Sequence, residues 1–250
     1  ATGAHWALGF LYQRQTQFEK AAQMFEKMAS FPDVPQVKDA LYNAAQTRKA
    51  LGQYVKAIKI MNTFIKKYPK AEDSPTFVLQ IADLYEKQEK WVKAIETYRR
   101  FVKKYGKDKA EMKPRVYLNI AKAYQALGKR DARAKASKAL SNVGSSVVAL
   151  FKGRDKETAG IIGSGITGLE KQLAAMPKKL KGSALKQKKN LSLRIKKLKT
   201  KKLHTQKWAS VIGLPPRQAT ALFSLLSSDV RSSAAEARMM QAEYVYQDFE

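Results

Sequence analysis

The run Gly163-Ser164-Gly165-Ile166-Thr167-Gly168 has the G-x-G-x-x-G spacing with which a glycine loop brings its backbone against a dinucleotide pyrophosphate. That chemistry also needs a preceding strand and a carboxylate about 20 residues on to hold the ribose. No Asp or Glu occurs between residues 171 and 228, and no strand–helix alternation surrounds the run. It reads as a flexible or closely packed glycine segment. The two histidines, His5 and His204, have no sequence-local partner. A metal site gathers several ligands, and a catalytic imidazole needs a nucleophile and an orienting group. Asp83 and Glu86 share a helix face but lack an apolar setting, so they read as solvated. The chain has no cysteine, which excludes disulfides and thiolate ligation. The expectation is a protein that is not an enzyme, with no catalytic residues, no metal and no cofactor.

Charge is the other chemistry on offer. The chain carries 48 Lys and Arg against 21 Asp and Glu, a net +27. The excess is uneven: residues 1–128 hold +11, residues 129–207 hold +18 and residues 208–250 hold −2. Lys186, Lys188, Lys189, Arg194, Lys196, Lys197, Lys199, Lys201 and Lys202 lie in a stretch, 178–207, that has no carboxylate at all. Such a run condenses on a polyanion and releases counterions as it binds. Leu191, Ile195 and Leu198 make a narrow apolar stripe through it, so an amphipathic helix on an anionic membrane is one reading. Nucleic acid is another, although Trp208 is the only aromatic between Phe151 and Phe223, which leaves little for base stacking. A solvated helix with its stripe packed inward is the third.

The elements that would position these groups are helices in pairs. Apolar residues recur at three and four throughout the first half, as in Ile81, Leu84, Tyr85 and then Trp91, Ala94, Ile95, Tyr98. The same pattern is written three times. Ala21, Ala57 and Ala94 mark equivalent positions 36 and 37 residues apart. A fourth copy opens at Ala121, Tyr124 and Gly128, then puts Arg130 and Arg133 where an aromatic and an Ala are expected. Ala45, Ala82 and Ala121 suit close helix approach, with Tyr54 and Trp91 as bulk beside them. Pro69 and the segment Lys104–Gly106 close units, and Pro35, Pro75 and Pro114 open the next. The period is close to the roughly 34 residues of the tetratricopeptide repeat.

The run Phe64-Ile65-Lys66-Lys67-Tyr68-Pro69, then Ala82-Asp83-Leu84-Tyr85 and Trp91-Val92-Lys93-Ala94-Ile95, resembles the long repeats of bacterial cell-envelope tetratricopeptide proteins. That group includes the lipoprotein of the outer-membrane barrel assembly machine, the periplasmic coordinator of the Tol–Pal system and gliding-motility proteins. The segment Ala234-Ala235-Glu236-Ala237-Arg238…Phe249 is similar to helices of the gliding-motility group. The resemblance implies an all-α fold, a tetratricopeptide-type α-solenoid of about four helix pairs; the basic helical C-terminal segment lies outside it and is read from its own residues. It implies a protein or peptide partner in the groove and a bacterial periplasm or envelope location, with the cytoplasm as the alternative.

The first helix of each pair faces the groove in this family. Transferring that register gives Trp6, Phe10 and Gln13 in repeat one, Tyr42, Gln46 and Lys49 in repeat two, Leu79, Asp83 and Glu86 in repeat three, and Leu118, Lys122 and Gln125 in repeat four. Chaperone-binding members clamp a C-terminal carboxylate with Lys and Asn. Here Phe10, Gln46, Asp83 and Lys122 stand at the Asn-bearing position, so that activity is not implied. The alternative use of the groove is packing on neighbouring domains. The expected organisation is a solenoid over 5–140, an irregular or transitional segment over 141–177, a basic amphipathic helix over 178–207, and a terminal helix over 228–250 with Ala235, Met239 and Ala242 on its apolar side. Glu250 carries no cap signal, so a further helical region is expected to follow.

Overall fold

The computed structural model describes residues 2–31, 34–128, 131–151, 155–177, 181–200 and 216–247. The described residues form α-helices and one short 3-10 turn, with no strand among them. The all-α expectation holds. The chain divides into two compact units, Ala1–Tyr105 and Gly106–Glu250.

The first unit is three helix pairs: α1 (Thr2–Arg14) with α2 (Phe18–Ala29), α3 (Val37–Ala50) with α4 (Tyr54–Lys67), and α5 (Asp73–Glu86) with α6 (Trp91–Tyr105). Each helix packs on the next in sequence. The repeated alanines are what allow this. Ala21, Ala57, Ala94, Ala45 and Ala82 are all fully buried, where a larger side chain would hold the helices apart. Repeat one needs something smaller still. A Cβ on Gly9 would lie 2.6 Å from Cε1 of Phe25, so the ring of Phe25 fills the space that a methyl takes in the later repeats. Around these seams pack Phe64 and Phe77, edge to face at 4.8 Å, with Met61, Ile81 and Leu84.

The turn inside each pair has one construction. Gln17 N–H donates to Tyr12 O, Gln53 N–H to Arg48 O and Lys90 N–H to Tyr85 O, at 2.8–2.9 Å. The preceding amides, of Thr16, Gly52 and Glu89, donate to Gln13 O, Lys49 O and Glu86 O. This is a Schellman closure, whose C′ residue must be left-handed. Accordingly φ is +59° at Thr16, +71° at Gly52 and +56° at Glu89. Only one of the three is a glycine. Gly106 follows α6 directly and is not left-handed, so it does not serve as the cap its position suggested.

The second unit opens with a 3-10 turn (Ala110–Met112) and then α7 (Lys113–Leu127) and α8 (Ala132–Ala149), joined through Gly128 at φ +62°. Among the described residues the helices that follow are α9 (Asp155–Ala175), α10 (Gly182–Thr200) and α11 (Pro216–Ser224), and then α12 (Ser228–Gln247). The helix that packs on both α7 and α8 is α12, while α10 and α11 pack on α9. The segment that carries α9, α10 and α11 thus separates the fourth pair from the helix that covers it.

Three expectations are corrected here. The segment 141–177 is not irregular: α8 runs on past residue 140 to Ala149, and α9 takes up most of the rest. Burial of Val143, Val147 and Val148 outweighs the poor helix propensity of the Ser, Gly and Val residues. The glycine run lies wholly inside α9, and neither Gly163 nor Gly168 has a neighbour within 4 Å of an added Cβ, so close packing does not explain those two. The apolar side proposed for the terminal helix is the wrong one. Val230, Ala234, Ala237 and Met240 are buried, whereas Ala235 and Ala242 are exposed and Met239 is 66% exposed. Residues 248–250 lie outside the described residues.

Candidate functional site

On α1, α3 and α5 the expected groove residues fall into three kinds. Trp6 is half-buried against Phe25, and its ring meets Phe10 edge to face at 4.9 Å, leaving Phe10 40% exposed. Tyr42 stacks on Phe77 at 5.3 Å and stays 37% exposed. These rings are held by packing yet present an open face. The second kind is polar. Gln46 Nε2 and Lys49 Nζ, one helical turn apart on α3, both donate to Oε1 of Gln80 on α5, each at 3.2 Å. Gln80 was not among the expected residues. Its place two positions before the seam residue Ala82, on the same helix side as Gln46, is the signal that could have found it. Gln13 is exposed and Glu86 half-buried.

The third kind serves the fold. Leu79 is buried, so it is a core residue rather than part of an open surface. Asp83 accepts a 2.7 Å hydrogen bond from the hydroxyl of Tyr98, a side chain with no exposure, and so satisfies the one polar atom of that buried ring.

Beside this face lies a network that the spacing did not reveal. The Arg48 side chain is only 3% exposed. It forks onto Glu26 of α2, with Nε to Oε1 at 2.6 Å and Nη2 to Oε2 at 2.9 Å. Its Nη1 reaches Glu19 at 2.5 Å and Gln53 at 2.6 Å, and Gln53 Nε2 closes the ring onto Glu19 at 2.7 Å. Hydrogen bonds from Arg48, then from Gln53, hold the Glu19 carboxyl below its usual range. The bonds to Glu26, and next those to Glu19, hold the Arg48 guanidinium more firmly charged than usual against the opposing effect of its burial. The network ties repeat one to the helix and turn of repeat two, so the face carried by α1 and α3 is set by charge as well as by packing. Behind it a cleft of about 340 Å³ lies among α2, α3 and α4, lined by Glu26, Ala29, Ser30, Leu41, Lys56, Lys59, Ile60 and Thr63. None of the groove residues reaches it.

In the second unit Leu118 is buried, at 3% exposure, and is core. Gln125 is exposed. Lys122 forms a 2.5 Å ion pair with Glu236, which places α12 over the very position expected to face a partner. Arg133, read as a misfit in the fourth copy, donates to the carbonyl of Tyr244 and lies 5.5 Å over its ring. Its charge on α8 replaces the expected Ala because α12 supplies an acceptor.

The basic stretch is helical where described, over Gly182–Thr200. Ile195 and Leu198 are buried and Leu191 is half-buried, so the stripe packs inward, in a helix whose neighbour is α9. It is not available to a membrane. Lys186, Lys189, Lys196 and Lys199 are exposed, with Lys199 paired to Glu170 of α9, while Lys188 Nζ donates to Pro177 O at 3.1 Å. Lys201, Lys202, His204 and Trp208 lie outside the described residues. His5 packs on Phe31 at 5.6 Å. Among the described residues no three of His, Cys, Asp and Glu are grouped to hold a metal, and no helix is long and apolar enough to cross a membrane.

A search of curated proteins gives no match. Among solved structures the chain is similar to a double mutant of MamA from RS-1, at 14% identity over 79% of this chain and 94% of that one, with a TM-score of 0.42. It is also similar to a thermophilic tetratricopeptide-repeat protein of Thermus thermophilus, at 17% identity over 79% and 98% of the two chains, with a TM-score of 0.35. The model of the tetratricopeptide repeat matches residues 39–71 and 78–108, the helix pairs α3–α4 and α5–α6. The chain thus carries tetratricopeptide repeats in these two pairs, and α1–α2 is closed by the same left-handed turn.

Proposed function

We propose that this protein is a non-catalytic scaffold of a bacterial envelope assembly that holds a peptide or protein segment along the face of α1, α3 and α5. Repeats of this kind generally bind protein partners, and the envelope setting is supported by the long-repeat resemblance alone. The observation that carries the reading is the pair of aromatic edges, Phe10 and Tyr42, held open beside the Gln46–Gln80–Lys49 cluster. Rings fixed by packing lose little entropy when a partner covers them, and the neighbouring amides and ammonium offer donors to a peptide backbone.

Site-specific photocrosslinking tests this. A photoreactive phenylalanine replaces Phe10 or Tyr42 on one side, or Val92 on α6 as a control that is 47% exposed. A discrete partner adduct is expected from the first two positions and not from the third. Adducts from Val92 alone would move the binding surface to the second helices and end the proposal.

A further inference from the structure

We infer that the outward face of α10 docks this chain on an anionic phospholipid surface. With 3.6 residues per turn, Lys186, Lys189, Leu193 and Lys196 fall within an arc of about 80°, directly opposite the buried stripe, and span about 15 Å of helix. All four are exposed, Leu193 at 51%. Leu185, on the edge of that arc, is 39% exposed. The inward stripe fixes the helix by its other side, so the lysines and leucines are displayed on a supported helix rather than one that must fold on binding.

The mixture of residues chooses the polyanion. A helix that only tracks phosphates gains nothing from leucine at the centre of its cationic face. One that reads single-stranded bases needs aromatic rings, and α10 has none. At a bilayer surface both kinds of residue are used: lysines meet the lipid phosphates while their stems and the leucines enter the headgroup boundary. The stretch from 171 to 228 has no carboxylate to oppose this attraction. The surface is separate from the α1–α3–α5 face, so the inference stands or falls independently of the proposed partner.

Co-sedimentation of the full chain tests it, with vesicles of phosphatidylcholine alone and of equimolar phosphatidylcholine and phosphatidylglycerol. Binding is expected only with the mixed vesicles, and release in about 1 M salt, where the screening length falls to about 3 Å. Lys186→Gln, Lys189→Gln and Lys196→Gln together should weaken binding about a hundredfold, roughly fivefold for each charge. Leu193→Ser should weaken it about fivefold, for the half of a leucine side chain that is still exposed. Glutamine matches lysine in helix propensity, so circular dichroism of the triple variant should equal that of the wild type. Equal binding to neutral vesicles, or indifference to Leu193→Ser, overturns the inference. So does duplex DNA bound more tightly than vesicles at the same low salt and unaffected by Leu193→Ser, which would give the face to nucleic acid.

Discussion

Replacing Thr16 by glycine should stabilise this protein, although it removes a side chain and a hydrogen bond. Thr16 sits at φ +59°, where the Schellman closure of α1 needs a left-handed residue. For a residue with a Cβ this conformation costs about 1–2 kcal/mol, and a β-branched side chain lies at the upper end. Its hydroxyl bonds only to the neighbouring Gln15 O, at 2.7 Å on an exposed turn, so little is lost there. Glycine returns about 0.4–1 kcal/mol through the greater freedom of the unfolded chain. The net gain expected is about 1 kcal/mol. Glu89, at φ +56° and not β-branched, should gain about half of that on Glu89→Gly. The reverse change measures the same quantity. Gly52 stands at φ +71° with nothing within 4 Å of an added Cβ, so Gly52→Ala tests the backbone alone and should cost about 0.5–1 kcal/mol, the strain less the freedom that alanine removes from the unfolded chain. The assay is urea unfolding followed by tryptophan fluorescence in a Trp208→Phe background, which leaves Trp6 and Trp91, both in the first unit, as the reporters. A neutral Gly52→Ala, or a destabilised Thr16→Gly, would refute the reasoning.

Three further changes probe the repeat seams. Arg48→Met should cost about 2 kcal/mol or more, since it strands two carboxylates from their charged donor; a double-mutant cycle with Glu26→Gln should show coupling of the same sign. Because the Glu19 carboxyl titrates below its ordinary value of 4.5, its contribution is complete above that pH and fades as pH falls through the lowered value. Wild type and Glu19→Gln should therefore differ by a constant amount near neutrality and converge in acid, as read by urea midpoints across pH. Gly9→Ala should destabilise by about 1–3 kcal/mol through overlap with Phe25, and Phe25→Leu should relieve part of that loss in the double variant, as thermal unfolding would report.

The sequence by itself determined the helix pairs and the residues of their seams. Ala21, Ala57 and Ala94 had to be buried because a repeated small residue at helical spacing has one economical use, close approach of two helices. It also implied a helix with an inward-capable stripe for the acid-free basic run, which is helical where described, over Gly182–Thr200. What it left open was which surface each stripe meets. Leu191, Ile195 and Leu198 pack inward in a helix set on α9, and α12 rather than α9 covers the fourth pair, because periodicity specifies a face and never a partner. On α12 the large residue Met239 suggested the wrong side. The seam with α7 and α8 buries Ala234 and Ala237 there, where short side chains let the helices close. Leu79 and Leu118 are buried because each first helix is set deeper than a transferred groove register assumes. The Arg48 network joins residues 22 and 29 apart in sequence, and Thr16 and Glu89 are left-handed for the sake of hydrogen bonds to their own backbone. Only the folded chain decides these features, because residue spacing encodes neither where a distant acceptor or helix comes to rest nor whether a helix pair closes on a left-handed residue that is not glycine.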